Sequence, residues 1–105
     1  MILYNVTIQI DHASHKEWLA WMKVVHLPEM MQTGKFAEYT ISRLLGTDET
    51  EGFTYSIQYL AHDFTAYQEY QEKHASEMQR KHHERYQDKY VAFRSIMKVV
   101  ERGDS

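Results

Sequence analysis

The sequence contains no cysteine, a single proline and only four glycines among its 105 residues. Without cysteine the chain can form neither a disulfide bond nor a thiolate metal site. It has no apolar run close to the about 20 residues that a membrane-spanning helix needs. Its first residues also lack the positive region and apolar run of a secretory signal. We therefore expect a cytoplasmic protein without a membrane span.

An excess of basic charge is also absent. The chain has 12 lysine and arginine residues against 15 aspartate and glutamate residues, which gives a formal net charge of −3. The basic residues that follow Met78 alternate with acidic ones, as on a solvated helix face, and form no block or tail. The sequence therefore lacks the electrostatic pattern of a nucleic-acid-binding protein, and we expect no nucleic-acid partner.

Hydrophobic periodicity predicts four strands. Apolar and polar side chains alternate over residues 2–10 and 53–61, which is typical of half-buried strands. Enrichment in β-branched and aromatic residues predicts two further strands over 35–45 and 90–100. A polar turn over 46–52 joins the two middle strands into a hairpin.

A first helix is predicted between the first two strands. Ser14 and Glu17 have the spacing of a capping box. Pro28 predicts that the helix breaks or kinks near His26, and Gly34 is suited to cap a further short turn. The apolar stripe of the helix recurs at i, i+3, i+4 and i+7 and consists of Trp18, Trp21, Met22 and Val25.

A second helix is predicted after the third strand, with Asp63 or Thr65 as its N-cap. Charge crowds residues 79–88, where the pattern leaves both a helix and a turn open. One side of this helix carries the aromatic and apolar residues Tyr67, Tyr70, His74 and Met78.

The element order β-α-β-β-α-β predicts an α+β, ferredoxin-like fold, a four-stranded antiparallel sheet with both helices on one face. Residues 1–100 would form a single domain and 101–105 a disordered tail. The opposite face of the sheet would expose residues such as Leu3 and Leu60, which predicts a homodimer that packs sheet against sheet. The apolar residues predicted to face the helices are Tyr4, Val6, Ile8, Tyr55, Ile57 and Tyr59.

Several short segments spread over nearly the whole chain carry a family resemblance. They are Tyr4-Asn5-Val6, Trp18-Leu19-Ala20-Trp21-Met22, His26-Leu27-Pro28, Thr33-Gly34-Lys35-Phe36, Arg43-Leu44-Leu45-Gly46, Thr54-Tyr55-Ser56-Ile57-Gln58-Tyr59 and Ala92-Phe93-Arg94. Together they resemble the bacterial family known as domain of unknown function 4286. The resemblance implies a dimeric α/β barrel and no assigned activity.

A helix that ends in His-x-Pro, followed by glycine and an aromatic strand, is similar to dimeric-barrel proteins of the EthD type and to polyketide cyclases. That similarity implies a histidine that faces a small pocket between the helices and the sheet. The position corresponds to His26.

Two histidines are the candidate catalytic residues. A helix C-terminus favours the protonated imidazole, so the pKa of His26 would suit acid/base transfer at neutral pH. The alternative is that His26 caps the helix. His74 could meet His26 across the pocket and donate to the same ligand, or it could be a buried histidine bonded to Tyr55 or Tyr59.

Aromatic residues are the candidate ligand-binding wall. Trp18, Tyr55 and Tyr59 could stack on a small aromatic or oxygenated ligand, or they could simply form the core. Arg43 and Arg94, on the outer strands, could bind a carboxylate or phosphate or could pair with Glu38.

A metal site is not predicted. His74, Met78 and His82 lie at i, i+4 and i+8, whereas helical zinc sites use two histidines at i and i+4 with further ligands. Haem ligation by one histidine is suggested only by analogy with other dimeric barrels, and the sequence identifies no cofactor.

The sequence thus predicts a small-molecule-binding dimeric α/β barrel, with cofactor-free acid/base or oxygenase-type chemistry as its candidate activity. The alternative is a non-catalytic homodimeric interaction module. An open cavity lined by the residues above would favour the first hypothesis, and a dry core would favour the second.

Overall fold

The computed structural model describes residues 1–104 and confirms the ferredoxin-like fold. The four strands form one antiparallel sheet in the order β2-β3-β1-β4. Both helical stretches lie on one face of this sheet. The elements are β1 (Ile2–Ile10), α1 (His15–Trp21), a π-helical segment (Met22–His26), α2 (Leu27–Gln32), β2 (Glu38–Arg43), β3 (Phe53–Ala61), α3 (Phe64–Lys73), α4 (Ala75–Tyr86) and β4 (Tyr90–Lys98).

The two central strands carry the core. Cross-strand neighbours on β1 and β3 are Tyr4 with Tyr59, Val6 with Ile57 and Ile8 with Tyr55. All six side chains are buried, as the period of two predicts for one face of a strand. Their burial against the helices confirms which face of the sheet was predicted to carry the core.

The other face of the sheet, here called the open face, carries polar side chains at its centre. The hydroxyl of Ser56 donates to Oδ1 of Asn5 at 2.6 Å, and the amide of Asn5 donates to Oγ1 of Thr7 at 2.9 Å. The neighbouring edge strand β4 adds apolar side chains to this face, and they are well exposed: Val91, Phe93 and Met97.

The predicted capping box at the start of α1 is wrong. Ser14 makes no side-chain capping bond. Its backbone N–H instead donates to Oδ1 of Asp11 at 2.8 Å. Glu17 accepts from Arg85 and from the hydroxyl of Tyr86, so its carboxylate ties α1 to α4. A tertiary ion pair therefore replaces the local bond that the sequence suggested.

The helical path does not break at His26, and the irregularity predicted from Pro28 takes the form of a π segment followed by the short helix α2. Leu27 keeps helical dihedrals (φ −62°, ψ −43°), and its N–H donates to the carbonyl of Met22, five residues earlier. Proline disfavours an ordinary helix because its ring meets the carbonyl four residues back. The wider π turn over Met22–His26 removes that conflict, so the helical path continues to Gln32 and Gly34 follows with φ +75°.

The second helical stretch extends further than the sequence indicated. Asp63 is its N-cap and accepts from the N–H of Ala66 at 2.8 Å, as predicted. The chain breaks at His74 (φ −129°), and α4 then includes most of the unassigned charged residues 79–88. Within residues 1–104, no helix has both the length and the apolar character to cross a bilayer.

The strand ends differ from the predicted ones. β2 begins at Glu38 rather than at residue 35, and β4 ends at Lys98 rather than at residue 100. Residues 99–104 form neither helix nor strand. The last residue of the predicted tail, Ser105, lies outside the described residues.

Candidate functional site

A narrow cavity of about 30 Å³ lies between the helices and the sheet. A volume of this size holds about one water-sized molecule. Two kinds of side chain dominate its wall. The polar ones are His26, His82, Tyr59, Tyr70, Gln79 and Arg94, and the flexible apolar ones are Met22, Met30 and Met78.

His26 enters this cavity from the end of the π segment. Its ring stacks on Trp21 with a centroid separation of 5.1 Å, and only 8% of the residue is exposed. Nδ1 of His26 is the one buried side-chain polar atom within residues 1–104 that has no hydrogen-bond partner. Burial lowers the pKa of His26 to about 4; Lys81 adds to this effect, and Glu29 opposes it. The imidazole is therefore neutral at pH 7.

His82 lies beside His26, with 6.1 Å between the ring centroids. The indole N–H of Trp18 donates to Nε2 of His82 at 2.9 Å. Because an indole can only donate, Nε2 carries no proton and Nδ1 carries it in the neutral ring. Burial lowers the pKa of His82 to about 3; the positive charge of His26, once that ring is protonated, and the charge of Arg94 act in the same direction.

Tyrosine hydroxyls and one guanidinium complete the polar wall. Burial raises the pKa of Tyr59 and of Tyr70, so both hydroxyls keep their protons. The Tyr70 hydroxyl donates only to the thioether of Met30, at 3.4 Å, and sulfur is a weak acceptor. Arg94 lies close enough to lower the pKa of both phenols electrostatically, and no aspartate or glutamate lines the cavity.

Two of the five predicted site residues line this cavity, namely His26 and Tyr59. Trp18 is fully buried and acts through its bond to His82. The Tyr55 hydroxyl instead bonds to Nε2 of His15 at 2.6 Å, outside the cavity.

His74 is not brought together with His26. It lies at the junction of α3 and α4, where its ring stacks near Tyr70 at 6.3 Å, and it does not line the cavity. The imidazole that lies beside His26 is that of His82. The catalytic roles of His26 and His74 stay predictions.

His82 was not predicted as a site residue, although the sequence contains a signal for it. His82 follows Met78 by four residues, so a continuous helix over 75–86 places both on one side. That inference needed the charged residues 79–88 to be helical, which periodicity left open.

A metal site and an anion site at Arg43 were also considered from the sequence. Within residues 1–104, no three His, Asp or Glu side chains are grouped so that they could hold a metal ion. Arg43 pairs with Glu49 rather than with Glu38, and Glu38 pairs with Arg102.

Comparison with protein families identifies the chain. The family model described as Domain of unknown function (DUF4286) matches residues 1–100. The chain belongs to this family. No curated protein sequence matches it.

Solved structures share the fold at low sequence identity. A dimeric ferredoxin-like protein from an uncultured marine organism has a TM-score of 0.72 and 14% identity, with 100% of both chains covered. An ethyl tert-butyl ether d (EthD) family protein from Bacillus halodurans has a TM-score of 0.66 and 9% identity, covering 90% of this chain and 97% of that one. SnoaB, a cofactor-independent oxygenase from Streptomyces nogalater, has a TM-score of 0.69 and 11% identity, covering 96% and 95%. At these identities the likeness shows the fold alone.

Proposed function

We propose that the protein is a homodimer that binds a small molecule in the cavity of each subunit, with His26 as a ligand contact. The observation that carries this proposal is the unpartnered Nδ1 of His26. A buried polar atom without a partner costs about 1–3 kcal/mol, and such atoms are rare in folded proteins. A ligand hydroxyl or amide that bonds to this nitrogen removes that cost.

The methionines of the cavity wall make room for a ligand larger than water. Met22 and Met30 are almost fully buried, and Met78 is half-buried beside them. Methionine side chains are unbranched and change rotamer readily, so they adapt to ligands of different shape. The cavity is therefore narrow in the free protein and widens when a ligand enters.

The homodimer is supported by the open face of the sheet. Val91 and Phe93 are 65% and 63% exposed there, beside the half-buried Leu3. Apolar side chains clustered on one face mark an interaction surface. A second copy of the chain covers them when two open faces pack together. The likeness to a dimeric ferredoxin-like protein supports the same arrangement.

The chemistry that fits this cavity is proton transfer without a cofactor. The neutral imidazole of His26 can accept the proton of an acidic phenol or enol, which leaves an imidazolium beside a ligand oxyanion. With a pKa of about 4, His26 is a weak base, and the ion pair with the oxyanion is what stabilises its protonated form. A cofactor-independent oxygenase shares this fold, which is compatible with chemistry that needs no cofactor.

Methyl NMR of methionine-labelled protein tests the binding proposal, with phenol and catechol as probes. We expect both probes to shift the methyl signals of Met22, Met30 and Met78, which line the cavity, and not that of Met97 on the open face. His26→Ala should weaken binding, because the probe hydroxyl loses its acceptor. The exposed His62 provides the control, and His62→Ala should bind as the wild type does.

A wild-type protein whose three cavity methionines respond neither to these probes nor to small carboxylic acids and amides would contradict the proposal. It would favour the non-catalytic homodimeric interaction module instead. Circular dichroism melting of each variant shows whether a loss of binding reflects lost contacts or lost fold.

A further inference from the structure

Arg94 is the one arginine that forms no ion pair among the residues that the structure describes. Arg43, Arg80, Arg85 and Arg102 each pair with a glutamate. Arg94 instead lies opposite Val6 on the helix-facing side of β4 and lines the cavity.

The rest of the cavity wall also offers donors rather than negative charge. The hydroxyls of Tyr59 and Tyr70 keep their protons, and Nδ1 of His82 carries a proton because Nε2 accepts from Trp18. Among residues 1–104, no aspartate or glutamate lines the cavity, so the charge of Arg94 is not neutralised there. Arg94 is exposed as well as lining the cavity, so an arriving anion meets its positive charge, whereas a cation is repelled.

From this arrangement we infer that the cavity selects an anion and that Arg94 holds its carboxylate. The inference rests on the proposed function, since it names the ligand class of the same cavity. A guanidinium presents two parallel N–H groups that match the two oxygens of a carboxylate. The tyrosine hydroxyls and His82 then supply further donors to the same anion, and the methionines contact its apolar part.

The size of the cavity limits the acid. With a volume of about 30 Å³, the cavity holds about one water-sized molecule, so even acetate needs some movement of the methionine side chains. An aromatic acid such as benzoate needs a larger movement. Each acid has an uncharged amide of nearly the same shape, so charge can be separated from shape in a binding measurement.

The experiment compares acetate with acetamide, and benzoate with benzamide, in a buffer free of carboxylates at pH 7. Binding is followed through the methyl signals of Met22, Met30 and Met78. We expect the wild type to bind each acid at least about tenfold more tightly than its amide, as a charge-assisted bidentate contact provides. Arg94→Gln should weaken acid binding about tenfold and leave amide binding unchanged.

Two further variants test whether acid binding needs the planar guanidinium and whether it needs a positive charge at this position of the strand. Arg94→Lys keeps the charge without the planar fork, and acid binding should fall between wild type and Arg94→Gln. Lys98 lies on the same strand and the same face but outside the cavity, so Lys98→Gln should bind the acids as the wild type does.

The outcomes distinguish this inference from the proposed function. Equal wild-type affinity for acid and amide, or unchanged acid binding in Arg94→Gln, would overturn the inference and leave small-molecule binding intact. If phenol, catechol, the acids and the amides all fail to shift the cavity methionines, both proposals fall. A backbone amide spectrum of Arg94→Gln that matches the wild type shows that the variant is folded.

Discussion

The hydrogen bond from Trp18 to His82 fixes more than one property of the cavity. It holds the ring of His82 at one angle, and it leaves Nδ1 as the protonated nitrogen. It also opposes protonation, because an imidazolium would place a second donor against the indole N–H. His82 is therefore a positioned, neutral donor at neutral pH, and His26 beside it is a neutral acceptor.

Because His26 and His82 are buried, we expect the protein to lose stability as the pH falls. An unfolded histidine has a pKa near 6.5, whereas the folded pKa values are about 4 for His26 and about 3 for His82. Below pH 6.5 the unfolded state thus binds more protons, and the free energy of unfolding falls as the pH falls. Each histidine contributes about 1.4 kcal/mol per pH unit to this fall. Above pH 6.5 neither state binds the proton, so the histidines cause no pH dependence there.

Urea unfolding at pH 7.5, 6.5, 5.5 and 4.5 measures this effect. The carboxylates whose pKa is lowered by hydrogen bonds and ion pairs, such as Glu17 and Glu69, lose their contribution only below about pH 4.5. The window from 6.5 to 4.5 therefore reports on histidines. His26→Phe should lower the slope in this window by about 1.4 kcal/mol per pH unit and leave the contribution of His82, while His62→Ala should keep the wild-type slope. A wild-type curve that is flat between pH 6.5 and 4.5 would show that His26 and His82 are not shielded from protons.

Among the elements, the hairpin of β2 and β3 depends on a close approach between its loop and the backbone of β1. Gly52 lies immediately before β3, and a Cβ atom at this position would overlap the carbonyl oxygen and carbon of Ile10 at the end of β1. Both are backbone atoms, so they cannot turn aside as a flexible side chain would. A larger residue at this position must displace the end of β1.

Gly52→Ala should therefore lower the free energy of unfolding by about 1–3 kcal/mol, the usual cost of overpacking. The matched control is Gly103→Ala, since a Cβ atom there meets no other atom within 4 Å. Urea unfolding of both variants at pH 7.5 checks the prediction. Equal stability of the two variants would mean that the end of β1 can shift without cost.

The helices and strands also show which structural features a sequence pattern can predict. The strands with strict alternation were predicted well, and β3 begins and ends at the predicted residues, because burial of one face leaves a period of two. The path through Pro28 was not predicted, because local preference at Leu27 is outweighed by the wide turn before it. Ser14 was misread for a related reason. Its partner Glu17 bonds to α4, which periodicity cannot show.

The candidate site was predictable only in part. The tyrosines of β1 and β3 follow from strand alternation, which places Tyr59 at the cavity. The helix breaks at His74 itself and His82 lies in the helix that follows, so helical spacing did not show which of them meets His26. Arg94 was identified as a candidate carboxylate or phosphate ligand. Its lack of an ion-pair partner within residues 1–104 could not be predicted, because it depends on contacts between residues far apart in the sequence.

At the scale of the whole molecule, the proposed homodimer predicts a single-residue disruption. Phe93 is in the middle of β4 on the open face, where two sheets would pack together. Phe93→Glu places a charge in that interface and should convert the dimer to a monomer, because a stable interface of about 800 Å² per partner does not tolerate an unpaired buried carboxylate.

Sedimentation velocity of the wild type and of two variants measures this change. Val24 is 75% exposed on the helical side of the molecule, away from the open face, and Val24→Glu should stay dimeric. A wild type that sediments as a monomer would contradict the homodimer. Retention of a dimer by Phe93→Glu would place the interface elsewhere on the surface.

The π segment also limits how the chain length can vary among relatives. Trp18 before the segment, Met22 at its start, and Leu27 and Met30 after it are all buried. A deletion of one residue within Met22–His26 would return the turn to ordinary α-helical winding and leave the flanking helices in nearly the same phase, but it would restore the conflict between Pro28 and the carbonyl four residues back. Relatives that lack this residue should therefore also lack a proline at the position of Pro28.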